Sequence, residues 1–159
     1  HVTSRVDRFL DPSSGDSYQV NRSLEAFMNG GLFGRGPGEG NIKSVLPDAH
    51  SDFIFAVAGE ELGVLACLLI VGLFTLVVLR GLSRALRENS LFVMLASAGL
   101  AIQFGLQAAI NMGSSLRLIP AKGMTLPFIS YGGSSLIAVA LTVGMLLALT
   151  RRRVGQDTE

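Results

Sequence analysis

The sequence predicts an all-α integral membrane chain, and three observations carry that expectation. Charged residues make up 16% of the 159 positions, against roughly 25% in soluble domains. Mean hydropathy is positive. Three long apolar runs, joined by short connectors, fill most of the chain after residue 55. The net charge of +1 leaves no basic footprint for nucleic acid. Cys67 stands alone, so no internal disulfide can form, and no Cys/His spacing suits a metal. The chain opens on His1 without a targeting sequence, and a fragment of a longer protein is the expectation.

Residues 1–55 are expected as one loop outside the membrane. Within it, Tyr18 to Met28 reads as a short helix, because Val20, Leu24, Phe27 and Met28 fall on one face. Asn29-Gly30-Gly31 stops it. It is too short to span a bilayer and could lie in the interface. Gly34 to Gly40 (GRGPGEG) follows. No Gly-Lys-Ser/Thr completes a P-loop, so the segment reads as a flexible turn. The functional alternative is that its bare N–H groups, with Arg35 and Lys43, contact an anionic head group.

The first span is expected over 56–79, with Leu62–Leu79 free of charge. A connector follows at 80–90, a second span at 91–112 and a loop at 113–133. A third span covers 134–150 and a tail 151–159. Arg80, Arg84 and Arg87 lie in the first connector, and Arg151, Arg152 and Arg153 follow the last span. Two crossings separate these clusters, so they share a side. The positive-inside rule makes that side cytoplasmic. Residues 1–55 and 113–133 are then both extracytoplasmic.

That topology brings two stretches to one face. The first is Leu46–Gly63 (LPDAHSDFIFAVAGEELG), with Asp48, His50, Asp52, Glu60 and Glu61 at the mouth of a span. Carboxylates sit there at a cost unless water, a cation or a substrate meets them. The second is Leu118–Ser135, with Pro120 and Pro127 either side of Lys122, and it reads as a re-entrant or cavity-lining loop. Gln103, Gln107 and Asn111, spaced i, i+4 and i+8, line one face of the second span. They read either as interhelical hydrogen bonders or as the polar wall of a substrate groove.

Group transfer from an anionic lipid-linked substrate needs a base for the acceptor hydroxyl and positive charge at the departing phosphate. Asp52 is the candidate base, since partial desolvation between loop and apolar run would raise its pKa. Sequence rules alone favour a helix N-cap at Ser51 or Asp52, and the two roles are not exclusive. Lys122 is the candidate phosphate partner, with Lys43 and Arg5 behind it. Glu60 and Glu61 read as structural, and His50 as a hydrogen-bonded loop residue.

The motifs LPDAHSDFIFAVAGEELG, Asn111-Met112-Gly113, PAKGMTLP at 120–127 and FISYGGSS at 128–135 resemble the SEDS family (shape, elongation, division, sporulation). The resemblance covers essentially the whole chain. Lys122 within that proline-bracketed motif is similar to the cell-division branch rather than the elongation branch. The family fold has roughly ten transmembrane helices. The resemblance implies that this chain is the C-terminal portion, with the last three helices and a large extracytoplasmic loop with short helices.

The resemblance further implies an inverting peptidoglycan glycosyltransferase that polymerises lipid II during septal wall synthesis. The family's essential aspartate maps onto Asp52 and the division-branch lysine onto Lys122. Lys43, Arg5, Gln107 and Asn111 are candidate contacts to diphosphate or sugar. The implied partners are lipid II, membrane lipid, a class B penicillin-binding transpeptidase and other divisome proteins. The implied location is the bacterial cytoplasmic membrane at the septum. No fixed cofactor is implied; a divalent cation would suit a diphosphate, but no ligand cluster marks one. A lipid II flippase and a non-enzymatic divisome scaffold are the alternatives. This portion alone is expected to be inactive.

Overall fold

A computed structural model of the chain describes residues 15–40, 53–116, 118–119 and 124–151. Four helices account for most of these: α1 (Gly15–Gly30), α2 (Ile54–Ala85), α3 (Leu91–Ser115) and α4 (Gly133–Leu149). No strand occurs among the described residues. α2 packs on α3, α3 on α4, and α1 lies across the start of α2 and the end of α3.

α2 and α3 are both long and apolar enough to cross a membrane, while α4 is shorter. Their outward surfaces carry Leu65, Leu68, Leu69, Leu73 and Leu76 on α2 and Leu95, Ile102 and Leu106 on α3, all exposed. An apolar shell of this extent suits hydrocarbon and not water. α2 runs past the expected end at Leu79 to Ala85, and α3 continues to Ser115.

In a bilayer the helices gain no hydrophobic drive toward each other, so close packing must hold them. Small residues allow it here. A Cβ on Gly81 would sit 3.1 Å from the Ala101 Cβ, and one on Gly105 would sit 2.8 Å from a Val78 methyl. Around these crossings lies one apolar cluster: Phe55, Cys67, Phe74, Phe104, Ala108, Leu126 and Val139. Phe74 and Phe104 meet at 5.6 Å between ring centres, within the range of favourable aromatic pairs.

α1 differs from the expected face at Met28. Met28 is 82% exposed, whereas Ser23 and Ala26 are fully buried. Close approach decides this. The Phe27 ring lies where a Cβ of Gly59 would be, and Gly30 sits directly on the Gly59 carbonyl. The buried Ser23 hydroxyl donates to the Ser115 carbonyl at 2.8 Å, tying α1 to the end of α3. Phe27 of the apolar stripe faces inward beside the small residues Ser23 and Ala26, while Met28 turns outward.

Candidate functional site

The α1 end of the bundle carries two loops, and each is fastened to a helix. The first is Gly30–Gly36. Within α2, Gly63 leaves helical geometry at φ 82° and ψ 177°, a region essentially open only to glycine. The helix breaks there, and the loop repairs the break. Arg35 and Gly36 N–H donate to the Glu60 and Glu61 carbonyls at 3.0 and 3.1 Å. Val64 and Leu65 N–H donate to the Gly31 and Leu32 carbonyls at 3.0 and 3.4 Å. Four backbone groups orphaned by the broken helix are thus paired.

Glycine is required on both sides of this contact. A Cβ on Gly34 would lie 2.2 Å from the Glu61 carbonyl oxygen, and one on Gly63 would lie 2.5 Å from Gly34 N. The alternative reading of this segment as an anion cradle is therefore corrected. The N–H groups of Gly34, Arg35 and Gly36 already donate to the carbonyls of Gly30, Glu60 and Glu61. None of the three is left for a head group. Glu60 is fully buried beneath the same segment. A Cβ on Gly40 would lie 2.9 Å from its carboxylate.

The second loop follows Lys122 and is held by side chains. The Asn111 amide donates to the Met124 carbonyl at 2.5 Å. The Gln107 amide donates to the Thr125 carbonyl at 3.2 Å. Two of the three polar residues on that α3 face thus grip loop backbone, while Gln103 is exposed. The loop then turns tightly. Leu126 N–H donates to the Ser130 hydroxyl at 2.8 Å, and Ser130 N–H returns to the Leu126 carbonyl at 3.1 Å. Phe128 takes φ 62° at the tip, a conformation costing roughly 1–2 kcal/mol outside glycine. Its ring packs 6.3 Å from that of Phe104.

Of the candidate site residues, Asp52, Lys122, Lys43 and Arg5 lie outside the described residues, as do Asp48, His50 and Ser51. Their flanks are described. Phe53, next to Asp52, is buried with Ala26, Ala56 and Val57. Phe55, three residues beyond Asp52, and Leu126, four beyond Lys122, belong to one packed cluster. Sequence reasoning missed the broken helix, since Gly63 within an apolar run reads as an ordinary helical glycine. It also missed the Ser130 latch, whose only trace is a serine three residues after a proline.

Residues 1–154 match the family model FTSW_RODA_SPOVE, described as "Cell cycle protein". A protein of Caulobacter vibrioides named "Probable peptidoglycan glycosyltransferase FtsW" is 54% identical over 155 residues, covering 98% of this chain and 40% of that protein. A Coxiella burnetii protein of the same name is 44% identical over 162 residues, covering 98% and 42%. A solved chain from work described as "Structural coordination of polymerization and crosslinking by a peptidoglycan synthase complex" superposes with a TM-score of 0.73. It is 31% identical, with 96% of this chain and 42% of that one covered. The chain thus spans about two fifths of the length of these relatives.

Proposed function

The chain belongs to the FtsW/RodA/SpoVE family of cell cycle proteins, and from that membership we propose that it carries the reacting face of a peptidoglycan glycosyltransferase polymerising lipid II. The relatives' names support the reaction class. One structural observation supports the assignment of roles. The segments that follow Asp52 and Lys122 end in the same packed cluster, through Phe55 and Leu126.

In this reading the acceptor sugar's 4-hydroxyl attacks the anomeric carbon of the donor. The new C–O bond forms as the bond to the diphosphate oxygen breaks, with inversion. Asp52 takes the hydroxyl proton, and undecaprenyl diphosphate departs with the electron pair. Lys122 offsets the charge gathering on that leaving group. Lys43 and Arg5 serve as further phosphate contacts in the same proposal. Gln107 and Asn111 act by holding the Lys122 loop through Thr125 and Met124, since each spends an amide donor there.

The membrane orientation belongs to the same proposal. Arg80, Arg84 and Arg87, with Arg151–Arg153, mark the cytoplasmic side. The α1 end is then extracytoplasmic, in the inner membrane at the division septum. A class B penicillin-binding transpeptidase is the proposed partner. The structural neighbour's description, which joins polymerisation to crosslinking, supports that choice.

The test is polymerisation of labelled lipid II by the full-length protein with its transpeptidase partner. Asp52→Ala is expected to form no glycan strand while still reaching the membrane in normal amount. Normal polymer from that variant would remove Asp52 from the mechanism. Lipid II movement across vesicles without polymer would favour a flippase, and division supported by Asp52→Asn would favour a scaffold.

A further inference from the structure

The glycine-rich segment has apolar residues at its tip that the proposed chemistry does not use. Leu32 is 64% exposed and Phe33 81% exposed. Their depth is fixed by hydrogen-bond register. The Gly31 and Leu32 carbonyls pair with Val64 and Leu65 N–H, and those residues open the uncharged run that ends at Leu79. From Val64 to Leu79, where the charged connector begins, α2 is about 24 Å long at roughly 1.5 Å per residue, short of the roughly 30 Å of a hydrocarbon core. The loop tip therefore lies alongside the first turn of a helix that needs its whole length to cross.

Non-helical backbone survives at that depth only if its polar groups are satisfied by protein. Five backbone groups of the loop are paired in this way, through the four cross-pairings to α2 and the Gly34 N–H bond to the Gly30 carbonyl at 2.8 Å. The exposed side chains continue the apolar surface of α2 at Leu62, Leu65, Leu68 and Leu69. Arg35 stands exposed just behind the tip, its guanidinium Nε donating to the Asn29 carbonyl at 3.4 Å. An apolar tip with a basic shoulder matches acyl chains below a phosphate layer.

We infer that Gly31–Gly36 is a re-entrant loop whose Leu32 and Phe33 side chains are embedded among the acyl chains of the outer leaflet. The inference rests on α2 being a membrane span and gives its extracytoplasmic end a lipid-facing anchor. It differs from a head-group cradle, because contact is made by side chains with hydrocarbon and not by N–H groups with phosphate.

The test is site-directed spin labelling of the full-length protein in phosphatidylethanolamine/phosphatidylglycerol vesicles. Labels go at Phe33→Cys, Leu32→Cys, Glu39→Cys and Leu69→Cys, one at a time. Collision with oxygen, which concentrates in hydrocarbon, is compared with collision with a water-soluble nickel complex. The expected oxygen-to-nickel ratio at Phe33 and Leu32 is several-fold above that at Glu39 and close to that at Leu69. Nickel access at both tip positions with oxygen access at Leu69 overturns the inference and leaves the span intact. Nickel access at the tip and at Leu69 overturns both. Protection of the tip from both reagents would mean that protein covers it, which also overturns the inference.

Discussion

Two loops meet the helices at one end of this bundle, and they are held by opposite means. Gly30–Gly36 is fastened backbone to backbone, into a helix that breaks to receive it. The loop after Lys122 is fastened by Gln107 and Asn111, from a helix that stays continuous. The first kind of grip depends on missing side chains. The second depends on two amides being present. The first should therefore fail under added bulk, and the second under lost hydrogen-bonding capacity.

The largest effect is expected where bulk enters the first grip. Gly34 holds φ 78° with the Glu61 carbonyl where its Cβ would be. Gly34→Val should cost about 3 kcal/mol or more, combining a left-handed backbone penalty with overpacking. Thermal unfolding of the full-length protein in detergent checks this as a lower Tm. An unchanged Tm would show that the loop is not locked into the break.

A middle effect is expected in the second grip. Asn111 is fully buried, and Asn111→Leu should cost about 1–3 kcal/mol by stranding the Met124 carbonyl. Polymerisation of lipid II should fall further than that loss of stability explains, because Lys122 loses its anchor. A polymerisation rate unchanged at equal membrane level would separate the loop grip from the chemistry.

The smallest effect isolates conformation from contact. Gly31 has φ 56° but open space around its missing Cβ. Gly31→Ala should cost about 1 kcal/mol, the backbone term alone. A loss as large as that of Gly34→Val would mean that dihedral preference, not close approach, governs this loop.

The contrast also explains what the sequence disclosed. The all-helical, apolar character was legible because long runs such as Leu62–Leu79 carry no charge. The amide grip was half legible: the i, i+4, i+8 spacing marked Gln107 and Asn111, but nothing in it named the loop backbone as their target. The break at Gly63 was not legible, because backbone pairing leaves no side-chain signature. Its one trace, a crowd of glycines at 30–40, reads equally well as a slack turn. The α1 face differs at Met28, which is exposed, while Phe27 of the same stripe packs on Gly59 and against Phe55. The re-entrant character expected of Leu118–Ser135 now finds a second candidate in Gly31–Gly36.

The account depends most on Asp52 and Lys122 sharing one face of the membrane. Spin labels at Asp52→Cys and Lys122→Cys in the full-length protein, read by pulsed dipolar spectroscopy in vesicles, measure this directly. The account predicts a separation within about 20 Å, well inside the roughly 30 Å hydrocarbon thickness. A distance of about that thickness or more, with the two labels reached by reagents from opposite sides, would contradict it.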